Sequence, residues 1–364
     1  MKNPIDLAAE AAAFADQYQM LPQGSTVLCA VSGGKDSMAL LSVLQTLAPE
    51  RNLMIHAAHF NHQLRGEESQ RDENFVSKWC ADHNIPLTIG SGDVAQAAQE
   101  QGKGIEETAR AMRYGFLTET AQEVGAEKIA TAHNADDNAE TVLLHLIRGT
   151  GLDGLTGIPP VRGILIRPLL GVPRIDIEVY LAQENIPHVE DSSNQDTKFA
   201  RNRIRQAILP VMKDLNPAFV STLSANLVHL REDRELLHDM AESVTCDALV
   251  EDGKVSIQAA SLADLPHPIA ARAVKQLLAK AGRFQVSAVH IDQIIELATG
   301  ETPSANLNLP EGLFAWREYE NLVICPAEAI PPSFSLRLLT GPGVFALDNG
   351  WQIEIEETTC PEIP

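Results

Sequence analysis

The chain of 364 residues is long enough for two or three domains of about 150 residues each. Its 45% hydrophobic and 21% charged residues are typical of a globular protein and exclude a disordered chain. The 28 basic and 49 acidic side chains give a net charge of −21, which repels nucleic acid overall, so contact with RNA would depend on local basic clusters.

The cysteines and the apolar runs of the sequence indicate the cellular compartment of the protein. The five cysteines are scattered and form no C-x-x-C pair, so the sequence predicts neither a disulfide framework nor a zinc cluster. The first 17 residues contain acids where a signal peptide needs an apolar run, and no stretch reaches the roughly 18 apolar residues of a membrane span. We therefore expect a cytoplasmic protein with no membrane segment.

The first part of the chain, 1–215, alternates β-branched runs with amphipathic helical stretches. The predicted strands are Thr26–Val31, Leu53–Phe60, Ile85–Ile89 and Lys128–Ala132, and the predicted helices are Met38–Leu47, Glu67–Asn84, Ile105–Val124 and Ala135–Arg148. This alternation predicts an α/β domain with a doubly wound, Rossmann-like parallel sheet. Its ligand should bind at the carboxyl ends of the strands.

A glycine-rich loop follows the first predicted strand and leads into a predicted helix. It consists of Ser32, Gly33, Gly34, Lys35, Asp36 and Ser37. Backbone N–H groups at such a turn, together with the helix dipole, favour a bound phosphate. A plain capped glycine turn would have the same spacing, so the pattern alone leaves both interpretations open.

Two groups of charged side chains lie on the predicted helices. Arg110 and Arg113 are three residues apart and could contact phosphates, although pairing with Glu106 and Glu107 is the ordinary alternative. Asp136, Asp137 and Glu140 lie on the opening turns of the next helix, where they could converge on a cation or merely complement the helix dipole.

The strongest local basic run lies between 198 and 213. Its members are Lys198, Arg201, Arg203, Arg205 and Lys213, and the segment 198–213 contains no acidic residue. We expect this run to contact RNA phosphates. Its ordinary alternative is a solvated helix face that balances Glu190, Asp191 and Asp196.

A second, mainly helical domain is predicted for 216–330, after Asn216–Pro217. Its predicted helices are Ala218–Val250, Ala270–Lys280 and Ser287–Leu297, followed by short strands near Leu307–Leu309, Leu313–Trp316 and Leu322–Cys325. The remaining residues, 331–364, begin with Pro331–Pro332 and are predicted to form a short β appendage. We interpret it as a truncated β domain, because the run is too short to fold alone.

The loop resembles the pyrophosphatase loop of enzymes that cleave ATP between the α and β phosphates. Further segments in chain order resemble the tRNA(Ile)-lysidine synthetase family. They are His59–Arg65 with Glu68, Ser69 and Asp72; Glu106 with Ala109, Arg110, Arg113 and Tyr114; Thr131–Thr141; Arg148–Leu155; Arg167–Leu170; Glu190–Asn194; and Arg201, Asn202 and Arg205.

The resemblance implies a two-step reaction on an isoleucine tRNA with a CAU anticodon: ATP adenylates the wobble cytidine, and free L-lysine then displaces AMP. It implies that the loop holds pyrophosphate, that Asp36 helps to hold Mg²⁺, and that Asp136, Asp137 and Glu140 hold either the lysine ammonium or Mg²⁺. The implied substrate contacts include His133, and the implied tRNA contacts include Asn61, His62 and Arg65 besides Lys198, Arg201 and Arg205. The oligomeric state stays open, with a homodimer among the alternatives.

Two other functions compete with this one. A tRNA thiolase or amide-forming ligase with the same loop would need reactive cysteines or a glutaminase partner, yet Cys29 lies within a strand and Cys80 lies on a helix far along the chain. A non-catalytic RNA-binding module has no need for four acids, Asp36, Asp136, Asp137 and Glu140, near a phosphate loop.

Overall fold

The computed structural model describes residues 6–64, 66–190, 200–251, 253–282, 286–300, 302, 305–326, 341–346 and 352–356. Arg65, Lys198 and the expected boundary at Pro331–Pro332 lie outside the described residues. The chain divides into two compact units, 1–234 and 235–364. The domain bounds expected from the sequence, 1–215, 216–330 and 331–364, stay a prediction.

The first unit is built on a six-stranded sheet with helices around it. The strands are β1 (Thr26–Ala30), β2 (Met54–Asn61), β3 (Leu87–Ser91), β4 (Lys128–Ala130), β5 (Val161–Arg162) and β6 (Leu165–Ile166). Their order is β3-β2-β1-β4-β6-β5, and all neighbours are parallel except β5 and β6. The strand order reverses on either side of β1, so the point between β1 and β4 is where this fold binds ligands.

The helices of the first unit follow the strands in the order that parallel pairing requires. They are α1 (Leu7–Gln17), α2 (Lys35–Arg51), α3 (Glu67–Asp82), α4 (Val94–Gln101), α5 (Ile105–Glu123), α6 (Ala135–Arg148), α7 (Leu152–Leu155), α8 (Arg174–Gln183), α9 (Ala200–Arg203) and α10 (Leu209–Leu215). A π-helical turn, Ile204–Ile208, joins α9 to α10, and α11 (Phe219–Thr245) crosses from the first unit into the second.

Alternate residues of β1 face opposite cores. Val27 and Cys29 are buried in a cluster that includes Met38 and other apolar side chains of α1, α2 and α8. Leu28 is buried in a separate cluster with Leu117 of α5. Because both faces of the strand are covered, the sheet is doubly wound as the sequence predicts.

The second unit contains helices and an antiparallel sheet. The strands are β7 (Leu249–Glu251), β8 (Lys254–Gln258), β9 (Asn306–Leu309), β10 (Leu313–Glu318) and β11 (Asn321–Pro326), in the order β7-β8-β11-β10-β9. The helices are α12 (Ala260–Ala263), α13 (His267–Lys280) and α14 (Ala288–Thr299), and a 3-10 turn at Pro310–Gly312 precedes β10. A hairpin of β12 (Gly343–Ala346) and β13 (Gln352–Ile355) lies within the expected β appendage.

The predicted helix Ala218–Val250 is too long at its carboxyl end. The helix ends at Thr245, and Leu249–Glu251 form a strand instead. Val250 pairs with Val255 across a turn that contains Gly253, whose φ of +77° suits a tight reversal. Local pairing of β-branched residues therefore overrides the helical stripe at this point.

Candidate active site

The glycine-rich loop occupies the turn between β1 and the first residue of α2. The N-cap of α2 is Gly34, and Ser37 Oγ donates a hydrogen bond to the carbonyl oxygen of Gly34 at 2.9 Å. The backbone N–H of Ser32 donates to Ser37 Oγ at 3.2 Å. These contacts shape the loop around the amino end of a 17-residue helix, whose partial positive charge favours an anion.

The loop is fixed from behind by a bridge between Gly34 and Val189. The N–H of Val189 donates to the carbonyl oxygen of Gly33 at 2.9 Å. Gly33 has a φ of +88°, and a Cβ at this position would lie 3.0 Å from Val189 Cγ2 and 3.3 Å from Val76 Cγ2. Only glycine fits both the backbone conformation and the space.

A cavity of about 750 Å³ opens beside this loop at the carboxyl ends of β1, β2 and β4. Of the predicted site residues, those that line it are Ser32, Gly34, Lys35, Asp36, Ser37, Asn61, His62, Arg113, His133, Asp137 and Arg205. Gly33, Arg110, Asp136, Glu140 and Arg201 do not line it. The volume is in the range of cavities that hold nucleotide-sized ligands.

Asp36 presents a carboxylate to the cavity from the first turn of α2. Burial, followed by the nearby charge of Asp137, raises its pKa to about 6, and Arg174, Asn134 and Arg205 offset part of the rise. Asn134 Nδ2 donates to Asp36 Oδ1 at 3.0 Å. Two neighbouring carboxylates with one raised pKa are typical of a functional site that accepts a cation.

Asp137 also has a structural task at the start of α6. Asn134 Oδ1 accepts from the N–H of Asp137 at 2.9 Å, and Asp137 Oδ2 accepts from the N–H of Asn134 at 3.2 Å. This reciprocal capping box uses one carboxylate oxygen. The other, Oδ1, accepts from Arg174 Nη2 at 2.9 Å and Arg205 Nη2 at 3.0 Å.

The buried acids of α6 form an ion cluster with basic side chains of α8, α9, the π-helical turn and α10. We call this the α6 ion cluster; its members are Asp136, Asp137, Glu140, Arg174, Arg201, Arg205 and Lys213. Glu140 is fully buried and accepts from Arg205 Nε at 2.6 Å and Arg201 Nε at 3.0 Å. Asp136 accepts from Lys213 Nζ at 2.5 Å and from the N–H of Arg174 at 2.8 Å.

The α6 ion cluster includes three basic residues of the run 198–213. Arg201 and Arg205 contact Glu140 and Asp137. The sequence suggested RNA phosphates or Glu190, Asp191 and Asp196 as their partners, and Asp191 and Asp196 lie outside the described residues. Arg205 also lines the main cavity, and a smaller cavity of about 260 Å³ lies beside Asp136, Arg174 and Lys213. A tRNA contact by this run stays a prediction.

A second basic group surrounds the ring of Tyr114 on α5. We call it the Tyr114 arginine cluster; the guanidinium carbons of Arg110, Arg113 and Arg162 lie 5.0, 5.3 and 5.9 Å from the ring centroid, and Arg167 is the fourth member. Burial opposes ionisation of the tyrosine, but Arg110, Arg113 and Arg167 prevail and lower its pKa. Within the described chain, neither Arg110 nor Arg113 forms the ion pair with Glu106 or Glu107 that the sequence left as an alternative.

His133 lies between these two basic groups at the end of β4. Burial, together with Arg167, Arg201, Arg113 and Arg110, lowers the pKa of His133 to about 3, so its imidazole is neutral near pH 7. Its Nδ1 lies 3.1 Å from Thr131 Oγ1. A neutral imidazole can contact a nucleobase edge by hydrogen bonding, but it is a weak base.

Asn61 and His62 reach the cavity from the end of β2. Asn61 Nδ2 donates to Glu73 Oε2 at 2.8 Å, and the ring of His62 packs edge-on against Phe60 with centroids 4.9 Å apart. Both contacts place polar groups at the cavity rim. Their expected contact with tRNA stays a prediction.

Arg174 is the main residue that the sequence predictions missed. It lies at the first position of α8, contacts all three acids of the α6 ion cluster, and lines both cavities. An arginine at a helix amino terminus is unfavourable beside the positive end of the dipole. That mismatch was the signal in the sequence that could have found it.

Family models match both parts of the chain. A PP-loop domain matches residues 7–212, and a TilS substrate binding domain matches residues 258–323. A tRNA(Ile)-lysidine synthase from Geobacter sulfurreducens is 34% identical over 366 residues, which cover 99% of this chain and 78% of the relative. The chain belongs to the tRNA(Ile)-lysidine synthase family.

Another family member, from Thermotoga maritima, is 48% identical over 198 residues, covering 54% of this chain and 48% of the relative. Among solved structures, a U34-tRNA thiolase from Methanococcus maripaludis with a [4Fe-4S] cluster has a TM-score of 0.51 at 17% identity, covering 62% of this chain and 79% of that one. That likeness shows a shared fold. The expected family and fold class are thus confirmed, and no helix in the described part of the chain is long and apolar enough to cross a membrane.

Proposed function

We propose that this chain uses ATP to adenylate the wobble cytidine of an isoleucine tRNA with a CAU anticodon and then joins free L-lysine to it, releasing AMP and pyrophosphate. Family membership supports the reaction class. The observation that carries the assignment to this site is the cavity of about 750 Å³, which brings the loop residues 32–37, Asp36 and Asp137 together at the reversal of strand order.

The loop suits the pyrophosphate half of ATP. Cleavage between the α and β phosphates develops negative charge on the departing pyrophosphate, and the hydroxyls of Ser32 and Ser37 with the amino end of α2 face that position. Lys35 adds a positive charge at the cavity wall, where it now pairs with Glu178 at 3.1 Å. Preorganised donors of this kind stabilise the transition state more than the ground state.

Asp36 suits the Mg²⁺ that accompanies ATP. Burial and the nearby charge of Asp137 raise the pKa of Asp36, and a divalent cation would offset both effects. No group of three or more protein metal ligands is found in the described residues, and Mg²⁺ is commonly held by one or two carboxylates plus substrate phosphates. The ion would neutralise charge on the phosphates.

Free lysine carries both an ammonium and a carboxylate, and the α6 ion cluster offers both complementary charges. Asp137 is the acid of this cluster that lines the main cavity, whereas Glu140 is fully buried behind it. We therefore place the lysine beside Asp137 and Arg205, with the attacking amine directed at the adenylated cytidine. Glu140 would act by orienting Arg201 and Arg205.

Cys29 and Cys80, the two cysteines of the first unit among the described residues, do not supply the reactive thiol that the competing thiolase function requires. Burial raises the pKa of Cys29 well above its usual range and that of Cys80 to about 11. Both side chains are buried in the core of the first unit. Such thiols are poor nucleophiles.

The proposed function is tested by two measurements on the wild-type chain: tRNA-dependent release of pyrophosphate from ATP, and transfer of labelled lysine to the tRNA. We expect both with the CAU isoleucine tRNA and neither with a transcript whose wobble cytidine is replaced by uridine. Pyrophosphate release without lysine transfer would contradict the second step.

The variant pair Asp137→Asn and Glu140→Gln separates the roles of the two acids. We expect Asp137→Asn to raise the lysine concentration needed for half-maximal transfer at least tenfold, which corresponds to the roughly 1.5–3 kcal/mol of a hydrogen bond to a charged group. Glu140→Gln should mainly lower the melting temperature. A lysine requirement raised more by Glu140→Gln would move the ammonium contact to Glu140.

A further inference from the structure

The Tyr114 arginine cluster holds positive charge that no acid in the described part of the chain neutralises. Arg110, Arg113, Arg162 and Arg167 surround one ring, yet none of them forms a salt bridge there. Like charges held this close repel one another, and the pKa of Arg113 and of Arg167 is lowered, first by burial. In a chain of net charge −21, an unneutralised basic group of this size is a local exception.

One buried donor in the cluster, Arg167 Nε, has no hydrogen-bond acceptor among the described residues, although the Arg167 guanidinium as a whole interacts with the Tyr114 hydroxyl. Arg167 is only 2% exposed, and its Nη1 donates to the carbonyl oxygen of Pro159 at 2.5 Å. Buried donors are nearly always satisfied in folded proteins, and an anion is the acceptor that best suits such a donor beside excess positive charge.

The cluster extends from the surface to the main cavity. Arg110 and Arg162 are exposed, whereas Arg113 lines the cavity. His133 lines the cavity, and its pKa is lowered first by burial and then by the charges of Arg167, Arg113 and Arg110, so these charges act at the cavity wall. The glycine-rich loop lines the same cavity, so the two groups provide separate anion sites.

We propose that the Tyr114 arginine cluster binds the phosphodiester backbone of single-stranded RNA beside the nucleotide that enters the cavity. The proposal rests on the function proposed above and adds Arg162 and Arg167 to the substrate-binding residues. Guanidinium groups donate in pairs to phosphate oxygens, and a row of them from surface to cavity matches a chain of phosphates better than one small anion. The arginines would fix the strand, and the cavity would select the base.

The test measures the affinity of an anticodon stem-loop RNA across a salt series. Arg162→Gln and Arg110→Gln change exposed side chains, and Lys78→Gln on α3 is the matched control because Lys78 is also exposed. We expect each arginine variant to weaken binding and to lower the slope of log affinity against log salt by about 0.7, the value for one phosphate contact on a single strand. The control should change neither quantity.

Two further arms identify the anion. If the cluster instead binds the phosphates of ATP, Arg162→Gln should raise the KM for ATP and leave RNA affinity unchanged. If it binds free phosphate, the same variant should reduce the rise in melting temperature that inorganic phosphate causes, again with unchanged RNA affinity. Either result would overturn the proposal. An unchanged salt slope in both variants would also overturn it. Failure of the wild type to transfer lysine, with the salt slopes altered as expected, would contradict the proposed function alone.

Discussion

The surroundings of Asp36 disfavour the ionised form of its carboxyl group. Burial and the proximity of Asp137 raise its pKa from 3.8 to about 6 in the folded chain. Between these two values the folded state retains a proton that the unfolded state has lost. Stability therefore falls as pH rises through this window and stays lowered above about pH 6.

We accordingly expect Asp36→Asn to be more stable than the wild type at pH 7, by up to about 3 kcal/mol, since one pKa unit corresponds to about 1.4 kcal/mol. The difference should vanish as pH approaches 4, and pyrophosphate release should be lost. Melting curves at several pH values measure the first effect. Asp16→Asn is the control: the hydrogen bond from Arg51 lowers the pKa of Asp16, so this variant should be less stable than the wild type at pH 7. An Asp36→Asn variant that is less stable than the wild type at pH 7 would contradict the argument.

Gly33 is the residue on which the loop conformation depends. In Gly33→Ala a side chain would occupy a φ of +88° and meet Val189 at 3.0 Å, so we expect a loss of about 1–3 kcal/mol in stability and a higher KM for ATP. Gly115→Ala is the matched control, since Gly115 lies within α5 with no atom near its Cβ position. There the change should stabilise the chain by about 0.5–1 kcal/mol. Equal effects of both variants on the KM for ATP would contradict the role of the loop in ATP binding.

At the scale of elements, the α6 ion cluster joins the amino end of α6 to α9 and α10. Removing one partner of a buried ion pair leaves the other charge uncompensated, which costs about 3–5 kcal/mol. We therefore expect Arg201→Gln with Arg205→Gln to lower the melting temperature strongly, because Glu140 is fully buried. The matched control is Arg203→Gln, whose side chain is exposed on α9.

The same double variant also decides the RNA role of this segment. If the arginines contact phosphates as well, the salt dependence of tRNA affinity should fall together with the melting temperature. A lower melting temperature with an unchanged salt slope would assign both side chains to the fold alone. A melting temperature equal to that of Arg203→Gln would show that the ion cluster contributes little.

The elements also show how far the sequence could be interpreted. Helix α6 has the predicted bounds, because an Asn134–Asp137 capping box and a regular apolar stripe mark it locally. Strands β7 and β8 were missed, since their pairing depends on a turn and on β11 rather than on periodicity. The site followed the same rule: the loop residues were found from local spacing, whereas Arg174 is brought to the acids only by tertiary folding.

At the scale of the whole molecule, the proposed ATP site lies in the unit 1–234. Ligand bound only to the native state adds about 2.7 kcal/mol at a concentration of 100 times Kd. We expect calorimetry of the full chain with a non-hydrolysable ATP analogue to raise the transition of this unit and to leave the transition of 235–364 in place. A shift of the second transition alone would contradict the location of the site.

The π-helical turn Ile204–Ile208 has a consequence for tolerated changes in chain length. Such a turn holds one more residue than an α-helix of the same rise. Removing that extra residue would convert the turn to regular α-helix and leave the flanking helices in phase. Deleting a residue of α10 between Leu209 and Met212 would instead rotate every later side chain by about 100°, and Lys213 would then leave Asp136. Insertions and deletions should therefore be far less tolerated in α10 than in the π-helical turn or at the exposed Gly163 turn between β5 and β6.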